Sequence, residues 1–184
     1  MTTYVALLRG INVGGHNKVA MADLRRVVEA LGHGDVATYV NSGNVVFTCD
    51  GGDDEALGSQ LERAVAAELG VRPRVLVRSA AELSQVAAAN PFGDEHDPKR
   101  VHVVFLESRP GRAGERGAAR AQEEAATKGS RDEVRVVDRV AFLHTPDGLG
   151  RSVLAPLLDK RLGVTGTARN WSTVTKLLQL CEQR

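Results

Sequence analysis

One order of segments occurs twice along the chain, and it restricts the fold more than any single motif does. Residues 3–9 (TYVALLR) form a short apolar run rich in β-formers. The glycine-broken loop GINVGGHNK follows, then a helical period with Met21, Leu24, Val28 and Leu31 on one face. Gly32 and Gly34 stop that helix, and DVATYVNSGNVVFTC predicts two strands around a tight turn over 41–44. A second helix carries Leu57, Leu61, Val65 and Leu69 on one face; the strand RVLVRS follows Pro73, and a short helix spans 80–89.

From residue 100 the same order returns. It runs through the strand RVHVVFLE, an Ala-rich helix over 113–127, the pair EVRVV and RVAFLH, the helix SVLAPLLDKRLG, the extended TGTAR and a final helix from Trp171. First strands and hairpin turns are both displaced by about 97 residues, the mark of a duplication resting on element order alone. NPFGDEHDPKR, crowded with Pro, Gly and charge, is the natural boundary, giving units 1–92 and 93–184. The expected fold is α+β, a tandem duplication of ferredoxin-like βαββαβ units with antiparallel sheets, each followed by an extra helix. In such a unit the third strand lies between the first two, antiparallel to both. That order brings Arg9-Gly10, the 41–44 turn and the start of the first helix to one edge of the sheet.

Composition excludes several classes of protein. The 184 residues include 24 Lys+Arg and 23 Asp+Glu, a formal charge of +1, so no global field advertises a polyanionic partner. The halves differ mildly, from 8 basic and 10 acidic side chains in 1–92 to 16 and 13 in 93–184. No apolar run approaches the roughly 18 residues of a membrane span, and no membrane partner is expected. The first residues read as a strand in place of a signal peptide, which predicts a cytoplasmic protein. Cys49 and Cys181 form no CxxC, and the five histidines show no HExxH or paired spacing, so neither metal nor cofactor is expected.

RGINVGGHNK, TYVNSGNVVF, DGLGRS and TARNWSTVTKL together resemble the bacterial family known as domain of unknown function 1697, over nearly the whole chain. The resemblance implies tandem ferredoxin-like repeats and no particular reaction. Residues matching its signature are Arg9, Gly10, Asn12, Gly14, Lys18, Ser42, Gly43, Asn44, Arg169, Asn170, Trp171, Thr173 and Lys176. Ala168 stands where many members of the family have Thr.

The loop at 10–18 has GxxxxG spacing, but His16-Asn17 replace the Lys and Ser/Thr of a P-loop, which excludes nucleotide hydrolysis by that mechanism. Glycines still free backbone N–H groups to converge on an anion, Arg9 and Lys18 flank them with positive charge, and a helix start follows. The plainer account is that glycine permits positive φ in a long connection. Turn chemistry by itself explains Asn41, Ser42, Gly43 and Asn44, while proximity to the loop adds a role in orienting a ligand. Ser42 lacks a GxSxG elbow, and His16 is the one imidazole near it.

Arg169 precedes a helix start at which Asn170 is the expected N-cap, with Trp171, Val174, Leu178 and Cys181 as the buried stripe. A cleft between the repeats is thus expected to take a small phosphorylated or otherwise anionic ligand, nucleotides included. Arg9, Lys18 and Arg169 would supply charge, and Asn12, Ser42, Asn44 and Asn170 orientation. A phosphoryl or acyl transfer enzyme is one alternative, and would need a base such as His16 in reach of a nucleophile. A nucleic-acid-binding module is the other, weakened by the absence of an RNP1 pattern and by 4% aromatic content. His102 and His144 fall in strands, where structural roles are expected, and Asp94, Glu95 and Asp97 read as solvated linker charge.

Overall fold

A computed structural model describes every residue from Met1 to Arg184. The chain forms two compact, similar units, the first made of Met1–Gln85 with Lys176–Arg184 and the second of Val86–Thr175. In chain order the first unit contains β1 (Thr2–Arg9), α1 (Met21–Ala30), β2 (Gly34–Tyr39), β3 (Asn44–Cys49), α2 (Asp54–Leu69), β4 (Arg74–Ser79) and the start of α3 (Ala80–Ala88). The second repeats the order with β5 (Val101–Leu106), α4 (Arg112–Thr127), β6 (Glu133–Val137), β7 (Val140–His144), α5 (Leu154–Arg161), β8 (Gly166–Asn170) and the start of α6 (Trp171–Glu182). A single 3₁₀ turn, Leu149–Arg151, precedes α5.

Each unit has a four-stranded antiparallel sheet, ordered β2-β3-β1-β4 in one and β6-β7-β5-β8 in the other. In the first, β3 pairs with both β1 and β2, and Leu7 lies opposite Asn44. β1 is apolar without alternation because both of its faces are buried. Tyr4, Ala6 and Leu8 join Val45, Phe47, Val75 and Val77 beneath Leu24, Val28, Leu57, Leu61 and Val65 of α1 and α2. Val5, Leu7, Val46 and Leu76 are buried on the opposite face.

The Ala-rich α4, short of large apolar residues, works through smallness. A Cβ on Gly114 or Gly117 would stand 2.2 Å from the carbonyl oxygens of Leu162 and Arg161 respectively, so α5 approaches α4 at a distance only glycine permits. Ala118, Ala121 and Ala125 continue that face, and Leu154, Leu158 and Leu162 supply the bulk that α4 lacks.

Strand edges are blunted by side chains. Glu62 of α2 accepts a hydrogen bond from Val75 N on β4 at 2.8 Å, and Gln122 of α4 accepts from Val134 N on β6 at 2.8 Å. Both occupy backbone donors that would otherwise template another strand. The α6 stripe differs from expectation: Thr173, Val174, Leu177 and Cys181 are buried, while Trp171 and Leu178 are half-buried. Val174 and Cys181 keep the expected face, Leu177 takes the place of Leu178, and Trp171 opens the helix, its N–H donating to Pro98 O at 3.1 Å.

Candidate functional site

Five of the expected site residues meet at one end of the first unit. Leu8 N donates to Gly43 O at 2.8 Å, fixing the end of β1 against the β2–β3 turn. Gly43 has φ 77°, and a Cβ there would lie 2.7 Å from Ile11 Cδ1 and 2.8 Å from Leu8 Cβ, so the turn sits directly on the loop.

Asn12 is the residue that ties this end together. Its Nδ2 donates to Val19 O at 2.9 Å and to Asn41 O at 2.8 Å, and its Oδ1 accepts from Val19 N at 2.9 Å. One carboxamide therefore joins the loop's beginning, its exit into α1 and the hairpin turn. Asn17 closes the loop from the other side, its Nδ2 donating to Gly10 O at 2.9 Å and its carbonyl accepting from Asn12 N at 3.1 Å. Asn12 and Asn17 both take positive φ, 53° and 50°, a conformation asparagine tolerates better than most residues. The tip is a small hairpin in which His16 N donates to Val13 O.

Around this frame Arg9 is half-buried, and Lys18 and His16 are exposed. The N–H groups of Gly14, Gly15 and Asn17 meet no protein acceptor. α1 starts beside them with Ala20 at its N-cap, so no side chain closes its first turn. Ser42 Oγ accepts from Asn44 Nδ2 at 2.9 Å, and the same amide donates to Tyr39 O. Asn44, wholly buried, thus stiffens the turn from within. No hydrogen bond joins His16 to Ser42.

Arg169 and Asn170 belong to the second unit, at the end of β8. Arg169 is 6% exposed, its Nη1 donating to Thr167 Oγ1 and Ala168 O at 2.8 Å, and burial pushes its pKa down to about 10. Asn170 caps α6 as expected, its Oδ1 accepting from Thr173 N at 2.9 Å and from Ser172 Oγ at 3.0 Å.

Sequence reasoning passed over Arg78, which is 3% exposed in β4 and donates from Nη1 to Val77 O at 2.7 Å, with Asp54 at 3.9 Å. The signal was the parallel between RVLVRS and GTARN, each a strand with Arg before a polar cap and a helix. Glu95 is also more than linker charge: its Oε2 lies 2.8 Å from His144 Nε2, while Phe92 stacks on the same imidazole at 5.3 Å. That carboxyl is held below its ordinary range by the Asp97 N–H first and His144 second. His102 is buried with Nδ1 lacking any partner, and burial lowers its pKa. No three His, Cys, Asp or Glu side chains converge in a metal-holding arrangement.

No curated protein matches the chain. Among solved structures it is similar to the conserved bacterial protein SP0830 from Streptococcus pneumoniae, at 25% identity over 98% of each chain with a TM-score of 0.65. An unknown protein from Galdieria sulphuraria aligns at 12% identity over 92% of this chain and 98% of that one, with a TM-score of 0.27. The family model described as "Protein of unknown function (DUF1697)" matches residues 1–142, and the chain belongs to that family.

Proposed function

We propose that the protein binds a small phosphorylated or otherwise anionic ligand, nucleotides included, at the end of the first unit built by the loop before α1 and the β2–β3 turn. One observation carries this reading: the Asn12 carboxamide holds a glycine-rich loop to its neighbours while the N–H groups of Gly14, Gly15 and Asn17 remain available between Arg9 and Lys18. Unpaired amides in a glycine-rich loop and flanking cations suit an anion, and the uncapped start of α1 adds its dipole. Arg169, at 6% exposure, is reached by a ligand only if the chain around it rearranges.

Residues 1–92 and 93–184 are read as two copies of a ferredoxin-like unit. In support, Leu8 N bonds Gly43 O in one and Leu106 N bonds Arg139 O in the other, each joining the end of a first strand to a hairpin turn. Both cysteines are free thiols, in keeping with a reducing, cytoplasmic setting.

The test is thermal unfolding with phosphate, nucleotides and phosphosugars, on the wild type and on Lys18→Ala. A ligand at about 100 times its Kd adds roughly 2.7 kcal/mol to the native state, a shift of a few degrees. Lys18 is exposed, so its replacement leaves the unliganded midpoint unchanged and lowers the shift. A panel without any shift overturns the proposal.

A further inference from the structure

The outer surface of α4 is divided by charge. Arg112, Arg116 and Arg120 are all exposed and recur every four residues, so they form one row on the side of the helix toward α5. Glu115 faces the other flank, beside the apolar groove that α4 makes with β6. Glu115 lies 4.0 Å from Arg109, and Glu124 engages both Lys128 and Arg161. None of the three row arginines forms an ion pair, and exposed Lys160 stands on α5, whose end packs against Gly114 and Gly117. The neighbouring Ala113 and Ala119 are small, which leaves the guanidinium groups as the outermost features of the helix.

We propose that this row is a docking surface for the sugar-phosphate backbone of single-stranded nucleic acid. Successive arginines are separated by about 6 Å along the helix axis, comparable to the distance between neighbouring phosphates of an extended strand. Guanidinium binds phosphate through paired N–H donors, and a row of them neutralises consecutive charges. No aromatic residue lies in α4 or α5, so bases have no stacking partner and the surface has no preference among sequences. The site is independent of the loop before α1 and stands or falls separately from ligand binding there.

The experiment is fluorescence anisotropy of a labelled 20-nucleotide RNA against the full chain from 50 to 200 mM salt. Three neutralised phosphates give a slope of about −2 in log K against log salt, roughly a 20-fold loss of affinity over that range. Arg112→Gln, Arg116→Gln and Arg120→Gln together abolish binding, while their exposure and Gln's helix propensity leave unfolding unchanged. Glu123→Gln removes an exposed carboxylate three residues beyond Arg120 and tightens binding severalfold. Absence of binding at 50 mM salt overturns the proposal, as does a triple variant that binds like the wild type. Equal affinity for poly-glutamate overturns it too, and assigns the row to acidic proteins.

Discussion

Arg78 and Arg169 hold the same place in the two units. Each is the penultimate residue of the last strand, β4 or β8, paired across the first strand with Val5 or Val103. Each donates from Nη1 to the carbonyl of the residue before it, at 2.7 and 2.8 Å. Each precedes a capping residue, Ser79 or Asn170, which accepts a backbone N–H three residues on, from Glu82 or Thr173.

The arginines are therefore expected to stabilise their own strand ends. Arg78→Met or Arg169→Met lowers stability by about 2–4 kcal/mol, because a buried guanidinium serves several acceptors that methionine leaves bare. Urea unfolding at low and high salt checks this: burial shields the interaction, so the loss is equal in both. A loss confined to low salt would return these residues to the surface.

Asn12→Ala breaks the three bonds that join the loop, the entry to α1 and the hairpin turn. A net value near 1 kcal/mol per bond, reduced by partial exposure, predicts roughly 2 kcal/mol. Asn12→Asp retains only the acceptor for Val19 N and recovers less than half. Thermal denaturation of both variants measures the difference.

Two glycines with similar φ separate strain from crowding. Gly43→Ala places a Cβ against Ile11 and Leu8 and is expected to cost about 2–3 kcal/mol. Gly10→Ala, at φ 74° with no atom within 4 Å, bears the backbone strain alone, about 1 kcal/mol. Equal losses would remove the tight contact between turn and loop.

Stability is also expected to fall in mild acid through His102. Burial depresses its folded pKa below 6.5, so as pH drops through 6.5 the unfolded chain takes up the proton first. The contribution is complete above that value and declines until the folded pKa is reached. His33, also lowered by burial, acts in the same direction. Urea midpoints at pH 7.5 and 5.5 give the slope, and His102→Phe flattens it in proportion to that residue's share.

Most of the fold was legible in the sequence because strand and helix periods are local. TYVALLR, EVRVV and the helix from Trp171 fall within a residue of their observed bounds. The juxtaposition of Arg9-Gly10 with the 41–44 turn was also legible, since the strand order follows from short connections and the handedness of crossovers. The α6 stripe was legible only approximately: periodicity gives a face to within about one residue, and packing chose Leu177 over Leu178.

The sequence by itself determined two similar α+β units and the meeting of the loop with the hairpin. Tertiary structure decided which polar residues are committed. Asn12 and Asn44 looked like ligand contacts, yet each spends its carboxamide on backbone groups whose positions no spacing rule supplies, whereas Asn170 makes the cap its spacing predicted. Burial decided the arginines in the same way, placing Arg78 and Arg169 inside while Arg112, Arg116 and Arg120 stayed in solvent. A side chain's type fixes what it can bond, but only the packed chain fixes which partner is within 3 Å and whether water competes for it.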